Sequence, residues 1–148
     1  MKRLLGKSFF ALAALACCLV ASPSFADDGM AKPRGKYQIV FHVSENNPQN
    51  WQLAFNNALA VQRNLGKENT EIEIVAIGPG LKMLGNESQT ADRVTQALDK
   101  GIDVVACGET MTATKTSKAD LVGGVRVVPG GIIEIADRQR AGWVYIKP

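Results

Sequence analysis

The chain has few of the residue types that build covalent or metal sites. It contains three cysteines and one histidine in 148 residues. Cys17 and Cys18 lie in the N-terminal segment, so Cys107 is the only cysteine in residues 27–148. One cysteine cannot form a disulfide within its own chain, and with a single histidine it supplies too few ligands for a tetrahedral metal site. The sequence therefore predicts no metal and no cofactor, and it leaves the Cys107 thiol and the His42 imidazole as candidates for chemistry.

The motifs of several familiar enzyme classes are also absent. The chain has no G-x-S-x-G, no G-x-x-x-x-G-K-[ST] and no H-E-x-x-H. The hydrolase, NTPase and metalloprotease mechanisms that depend on these motifs therefore lack their parts. Gly78-Pro79-Gly80 and Gly85 have the wrong spacing for a dinucleotide-binding loop and follow the second predicted strand, which favours a plain turn.

Residues 27–148 have no net charge. Lys2, Arg3 and Lys7 account for the whole formal charge of +3, so the remaining residues carry equal numbers of acidic and basic side chains. Such a chain has no overall basic field to attract nucleic acid or anionic lipid. We therefore expect no nucleic-acid partner.

The first 26 residues have the pattern of a signal peptide. A basic start precedes the apolar stretch from Phe9 to Ala21, and Ser24-Phe25-Ala26 resembles a cleavage site. The apolar stretch falls short of the roughly 20 residues that span a bilayer, so we expect no stable membrane anchor. The resulting division is a signal peptide over 1–26, a flexible leader over 27–35 and one domain over 36–148, with the protein in the periplasm. Lipoprotein processing at Cys17 or Cys18 stays open as an alternative.

The domain shows strands that alternate with helices. Apolar, β-branched runs predict five strands at 37–43, 71–77, 102–106, 125–128 and 143–146. Apolar residues that recur three and four positions apart predict helices from Asn47 to Gly66 and over 90–100, 111–118 and 132–140. The helix over 111–118 is the weakest prediction because it is rich in threonine. This alternation indicates an α/β fold with a parallel sheet covered on both faces.

His42 lies at the end of the first predicted strand, and Cys107 directly follows the third. Ligands of open parallel sheets bind outside the carboxyl ends of the strands, where both residues would lie. A strand order of 2-1-3-4-5 would place their strands roughly 5 Å apart, whereas 4-3-2-1-5 would insert the second strand and double the distance to about 10 Å. The residue pattern does not choose between these orders.

Cys107 is followed by Gly108, Glu109 and Thr110, which we expect to support a thiolate. With Thr110 as the N-cap, the backbone N–H groups of the next helix would lie near the sulfur and lower its pKa modestly. His42 would assist if the strand order brings it close, and we name Cys107 and His42 as the catalytic candidates. The competing interpretation is structural, because free cysteines are among the most buried residues.

The chain resembles the DsrE/DsrF-like family of sulfur-relay proteins, in particular its small exported members. Five segments carry the resemblance: 37–43 (YQIVFHV), 78–81 (GPGL), 106–111 (ACGETM), 128–132 (VPGGI) and 139–146 (QRAGWVYI). The resemblance implies a three-layer α/β/α sandwich of flavodoxin-like architecture, with a parallel five-stranded sheet in the order 4-3-2-1-5. It also implies homo-oligomers, often trimers or hexamers, and a strand-end cysteine that carries sulfur as a persulfide, a position that Cys107 matches.

Two functions remain open from the sequence. The first is an exported sulfur carrier or thiol-dependent sulfurtransferase that uses Cys107 and meets a donor or acceptor protein or a small sulfur compound. The alternative is a non-catalytic oligomeric module, for binding or assembly, with a structural Cys107. The exposure of Cys107 discriminates between them, because a sulfur packed below the loops favours the module.

Overall fold

The computed structural model describes residues 35–148. The predicted signal peptide over 1–26, the leader residues 27–34 and the alternative lipid site at Cys17 or Cys18 lie outside these residues. Within the described part, no helix is both long enough and apolar enough to cross a membrane.

Five parallel strands form one sheet, as the alternation of elements predicts. The strands are β1 Tyr37–Val43, β2 Thr70–Ala76, β3 Asp103–Cys107, β4 Arg126–Val128 and β5 Val144–Ile146. The α-helices are α1 Pro48–Leu65, α2 Ala91–Asp99, α3 Gly108–Thr114 and α4 Gly131–Arg140. Short 3₁₀ segments span Lys67–Asn69, Gly78–Leu84 and Lys118–Asp120. The predicted α/β fold with a parallel five-stranded sheet is therefore confirmed.

The start of α1 shows how local sequence sets an element. The Asn47 side chain accepts a hydrogen bond from the Gln49 N–H at 3.0 Å, which satisfies one of the free donors of the first turn. Pro48 occupies the first helical position, where its missing N–H costs nothing. The helix then buries Trp51, Phe55 and other apolar residues against the sheet, as the spacing predicts.

The two faces of the sheet are covered very unequally. Helices α1 and α2 pack on one face over a large apolar cluster that includes Phe41, Phe55 and Ile74. Helix α4 packs on the other face over a cluster of five buried residues, which are Val40, Val75, Val105, Val128 and Ile135. The protein is thus the expected three-layer sandwich, and its second helical layer is thin.

The strand order is β4-β3-β2-β1-β5. This is the order that the family resemblance implies, and it resolves the alternative that the residue pattern left open. Strand β2 separates β1 from β3, so His42 and Cys107 do not lie on adjacent strands.

Helix α3 begins earlier than the sequence predicts. We expected a helix over 111–118 with Thr110 as its N-cap, but the helix spans Gly108–Thr114 and its N-cap is Cys107 itself. Thr112 and Thr114 bond back to the carbonyls of Gly108 and Thr110, so these threonines are satisfied inside the helix. Lys115 has a φ of 55°, and this left-handed residue ends the helix before Lys118.

Candidate functional site

Cys107 occupies the junction between a buried strand and a helix. It is the last residue of β3 and pairs with Val128 of β4. Val128 belongs to the apolar cluster under α4, so the Cys107 side chain lies on the α4 face of the sheet. Only 2% of its surface is exposed. The thiol therefore lies at the carboxyl edge of the sheet, as expected, but below the loops rather than in an open cleft.

Gly131, the first residue of α4, supplies the nearest hydrogen bond to the sulfur. Its backbone N–H donates to Cys107 Sγ at 3.2 Å. A Cβ atom at Gly131 would lie 3.0 Å from the Cys107 Cβ and 2.8 Å from Cγ1 of Ile77. The absence of a side chain is therefore what allows the first turn of α4 to approach the thiol.

Thr110 connects the thiol to the loop after β2. Its Oγ1 accepts a hydrogen bond from the Gly78 N–H at 2.9 Å, which leaves the hydroxyl proton available for another acceptor. Burial raises the pKa of the Cys107 thiol, but the Thr110 hydroxyl and the N–H groups of Gly131, Thr110 and Glu109 outweigh it and hold that pKa below its ordinary value. The site therefore favours the thiolate through hydrogen bonds from neutral groups.

Gly108 and Glu109 join the start of α3 to the turn before α4. The Glu109 N–H donates to the Pro129 carbonyl at 3.0 Å. A Cβ at Gly108 would lie 2.9 Å from the Val128 carbonyl oxygen, so the close approach of the two segments requires glycine. The beginnings of α3 and α4 thus meet at Cys107.

His42 does not reach the thiol. It is in register with Val75 of β2 and, through it, with Val105 of β3. Two strand spacings and two further residues along β3 put the Cα atoms of His42 and Cys107 about 12 Å apart. His42 instead shares a hydrogen bond with the Tyr145 hydroxyl, with 2.8 Å between Nδ1 and Oη. The expected support of the thiol by His42 is therefore wrong, because the strand order places β2 between them.

Burial and the nearby Lys147 lower the pKa of His42. The imidazole is therefore the neutral form near pH 7 and supplies no positive charge to its surroundings.

A buried glutamate that was not among the predicted site residues lies under α4. The Glu73 side chain is 1% exposed and contacts Arg138 at 2.7 Å and Arg126 at 3.2 Å. Glu134 binds both arginines, each at 3.0 Å, and Asp103 binds Arg126 at 2.6 Å. Burial raises the pKa of Glu73 to about 7, against the opposing effect of Arg138. An acidic residue between Ile72 and Ile74 in an apolar strand was the sequence signal that could have revealed it.

A cavity of about 690 Å³ lies near the carboxyl edge of the sheet, on the face that α1 and α2 cover. The 3₁₀ segment Gly78–Leu84, the end of α3 and the segment Lys118–Asp120 surround it, and Trp51 contributes to its lining. Cys107 is not among its lining residues. Within residues 35–148, no group of three or more His, Cys, Asp or Glu side chains is arranged to hold a metal ion.

The protein is therefore a small parallel five-stranded α/β/α sandwich with a hydrogen-bonded cysteine thiol at the carboxyl edge of its sheet. The sequence model of the DsrE/DsrF-like family matches residues 35–148. The chain belongs to this family, so the resemblance found in the sequence is confirmed. No curated protein matches the chain significantly.

Solved structures of three proteins are similar to this chain. The protein of unknown function MTH1491 from Methanobacterium thermoautotrophicum is 33% identical with a TM-score of 0.73, and the match covers 76% of this chain and 100% of that one. The protein of unknown function BT1422 from Bacteroides thetaiotaomicron is 17% identical, with a TM-score of 0.64 and coverage of 76% and 95%. The ychN protein from E. coli is 13% identical, with a TM-score of 0.62 and coverage of 75% and 98%. The last two likenesses show the shared fold.

Proposed function

We propose that the protein is a sulfur carrier in which Cys107 accepts sulfane sulfur as a persulfide and passes it on. The family to which the chain belongs is associated with sulfur relay, and the chain has a cysteine at the strand end where the resemblance places the persulfide. The observation that carries the proposal is the hydrogen bond from the Gly131 N–H to the Cys107 sulfur at 3.2 Å, and the lowered pKa of the thiol agrees with it. The thiolate is the form of cysteine that attacks sulfur.

The loading step is a displacement at sulfur. With thiosulfate as donor, the Cys107 thiolate attacks the outer sulfur, the new S–S bond forms, and the bond to the inner sulfur breaks with release of sulfite. The product is a cysteine persulfide anion, which the same N–H and O–H donors would stabilise. An acceptor thiolate or nucleophile then removes the outer sulfur and restores the Cys107 thiolate.

Access to the buried sulfur requires movement of its cover. Cys107 is 2% exposed, and the turn at 129–130 and the first turn of α4 lie over it. Ile132 and Ile133 follow directly in α4 and are 56% and 60% exposed. A partner that binds these side chains would contact the same turn that must open.

The burial of Cys107 is also the observation that favours the second candidate function. In that proposal the protein is a non-catalytic oligomeric module for binding or assembly, and the cysteine fills space between β3 and α4. The hydrogen bond from Gly131 would then satisfy a buried helix donor rather than prepare a nucleophile.

Export and self-association are part of the proposal. The basic and apolar segments of residues 1–26 support an exported protein that acts in the periplasm. Exposed apolar side chains, among them Ile132, Ile133 and Val144, support contact with further copies in a trimer or hexamer.

Intact mass spectrometry after incubation with thiosulfate or polysulfide tests the carrier against the module. The carrier predicts a gain of one sulfur atom that a reductant removes and that Cys107→Ser abolishes. Iodoacetamide labelling of the same preparation shows whether a reagent reaches the thiol. Labelling without any sulfur gain would contradict the carrier and support the module.

A further inference from the structure

Strand β4 and helix α4 form a continuous unit whose closed end covers the thiol. Residues 129–130 join the two elements, and Gly131 at this end donates to Cys107 Sγ. The opposite end carries two arginines: Arg126 is the first residue of β4, and Arg138 lies in the last turn of α4. Strand β4 is fixed to β3 by the sheet ladder, so a tilt of α4 against the sheet is the movement that would displace Gly131 relative to the sulfur.

Glu73 joins both arms at that opposite end. Its Oε2 lies 2.7 Å from Nη2 of Arg138 and 3.2 Å from Nη2 of Arg126. Glu134 of α4 contacts the same two arginines at 3.0 Å, so one carboxylate comes from the sheet and one from the helix. Ion pairs therefore join β4 and α4 to each other and to β2 at the end of the unit opposite Gly131.

A stability role alone does not explain a carboxylate at this position. Glu73 is 1% exposed, its Oε1 has no hydrogen-bond partner, and its neighbour in β1 is Val40. The charged groups that face it are Arg138 and Glu134 from α4, Arg126 from β4 and Asp103, which is its direct register partner on β3. Buried ion pairs usually stabilise no better than apolar residues of similar volume, and fixing one arrangement is their better-supported use.

We propose that Glu73 is a positioning residue for the thiol site: by binding Arg126 and Arg138 it holds the β4–α4 unit so that the Gly131 N–H points at Cys107 Sγ. This inference rests on the proposed use of Cys107 as a nucleophile. Glu73 would thus act on the thiol site from β2, through contacts with the end of the β4–α4 unit that lies farthest from the sulfur.

The test measures the ionisation of Cys107 directly. Thiolate ultraviolet absorbance is followed against pH and corrected by the same titration of Cys107→Ser, so that no reagent has to enter the site. In Glu73→Gln we expect the midpoint to rise by about half a pH unit to one unit, because a weakened hydrogen bond to a charged sulfur stabilises the thiolate less. Iodoacetamide labelling at high pH should also become several-fold faster as the cover loosens.

Glu71→Gln is the matched control. Glu71 lies on β2, points to the same face two residues earlier, and makes its direct contacts with Lys36 and Gln38, while Arg138 acts on it only as a nearby charge. Its midpoint should equal that of the wild type. A folded Glu73→Gln protein with the wild-type midpoint would overturn the proposal. If Glu73→Gln does not fold, Arg138→Gln decides in the same way, because it removes the contact from α4 at a side chain that is 31% exposed.

The outcomes separate this inference from the proposed function. A shifted midpoint in Glu73→Gln, with no sulfur uptake by the wild type, would contradict the sulfur carrier and leave the positioning role standing. Sulfur uptake by the wild type together with an unshifted midpoint would refute the positioning role alone.

Discussion

Replacement of Glu73 by glutamine should remove part of the pH dependence of stability. The substitution keeps the size of the side chain and removes its charge. Burial raises the pKa of Glu73 from its ordinary 4.5 to about 7 in the folded protein. The interval between these values corresponds to roughly 3 kcal/mol at most, at about 1.4 kcal/mol for each pH unit.

The direction of the change in stability follows from which state, unfolded or folded, loses the Glu73 proton at the lower pH. As the pH rises, the unfolded chain releases this proton near 4.5, whereas the folded protein keeps it until about 7. The contribution of Glu73 to the free energy of unfolding therefore falls between these two values and is constant above them. Glutamine does not titrate, so the stability of Glu73→Gln relative to the wild type should rise by up to roughly 3 kcal/mol across the same interval.

Urea unfolding at several pH values between 4.5 and 8, followed by circular dichroism, measures this difference. Glu71→Gln serves as the control, because hydrogen bonds from Gln38 and Lys36 lower the pKa of Glu71 and its stability difference should not rise with pH. A difference between Glu73→Gln and the wild type that stays constant or falls over the interval would refute the assignment of a raised pKa. A rise would show that the protein keeps a carboxylate at this position at a cost in stability near neutral pH.

Substitutions at two further positions test the hydrogen bonds at the thiol. Gly131→Ala should destabilise the protein by about 1–3 kcal/mol, since the new Cβ would lie 2.8 Å from Ile77 Cγ1 and 3.0 Å from the Cys107 Cβ. The same substitution should raise the pKa of the thiol. A urea midpoint and a thiol titration equal to those of the wild type would contradict both expectations and show that the turn relaxes freely. Thr110→Val should raise the thiol pKa and cost about 1–3 kcal/mol, because it leaves the Gly78 N–H without its acceptor and removes a donor near the sulfur. Thr110→Ser keeps the hydroxyl and should preserve the wild-type thiol titration, so equal shifts in both variants would contradict the assigned role of the hydroxyl.

Most elements of the fold were predictable because they carry strong local signals, whereas the threonine-rich α3 carries a weak one and begins three residues earlier than predicted. The strand Tyr37–Val43 and the proline start of α1 lie where apolar runs and the Asn47 cap indicate them. Strand order was not accessible from these signals, since it depends on how the helices cross the sheet. The resemblance to the family supplied the order that the structure shows.

The candidate site was predictable in its position and not in its contacts. Cys107 lies at the end of β3 as the apolar run before it indicates, but its nearest donor comes from Gly131, 24 residues later. Such a contact depends on the tertiary approach of α4, which no local pattern encodes. His42 was expected to assist the thiol because it is the only histidine and also ends a strand, and the intervening β2 removes that role.

The thiol precedes its whole cover in the chain, and this order matters while the chain is being synthesised. The strands β1, β2 and β3 and the helices between them precede Cys107 in the chain, whereas β4, the turn at 129–130 and α4 all follow it. A chain that is still emerging therefore carries Cys107 uncovered, and the last third of the sequence acts as the protection that closes over the thiol.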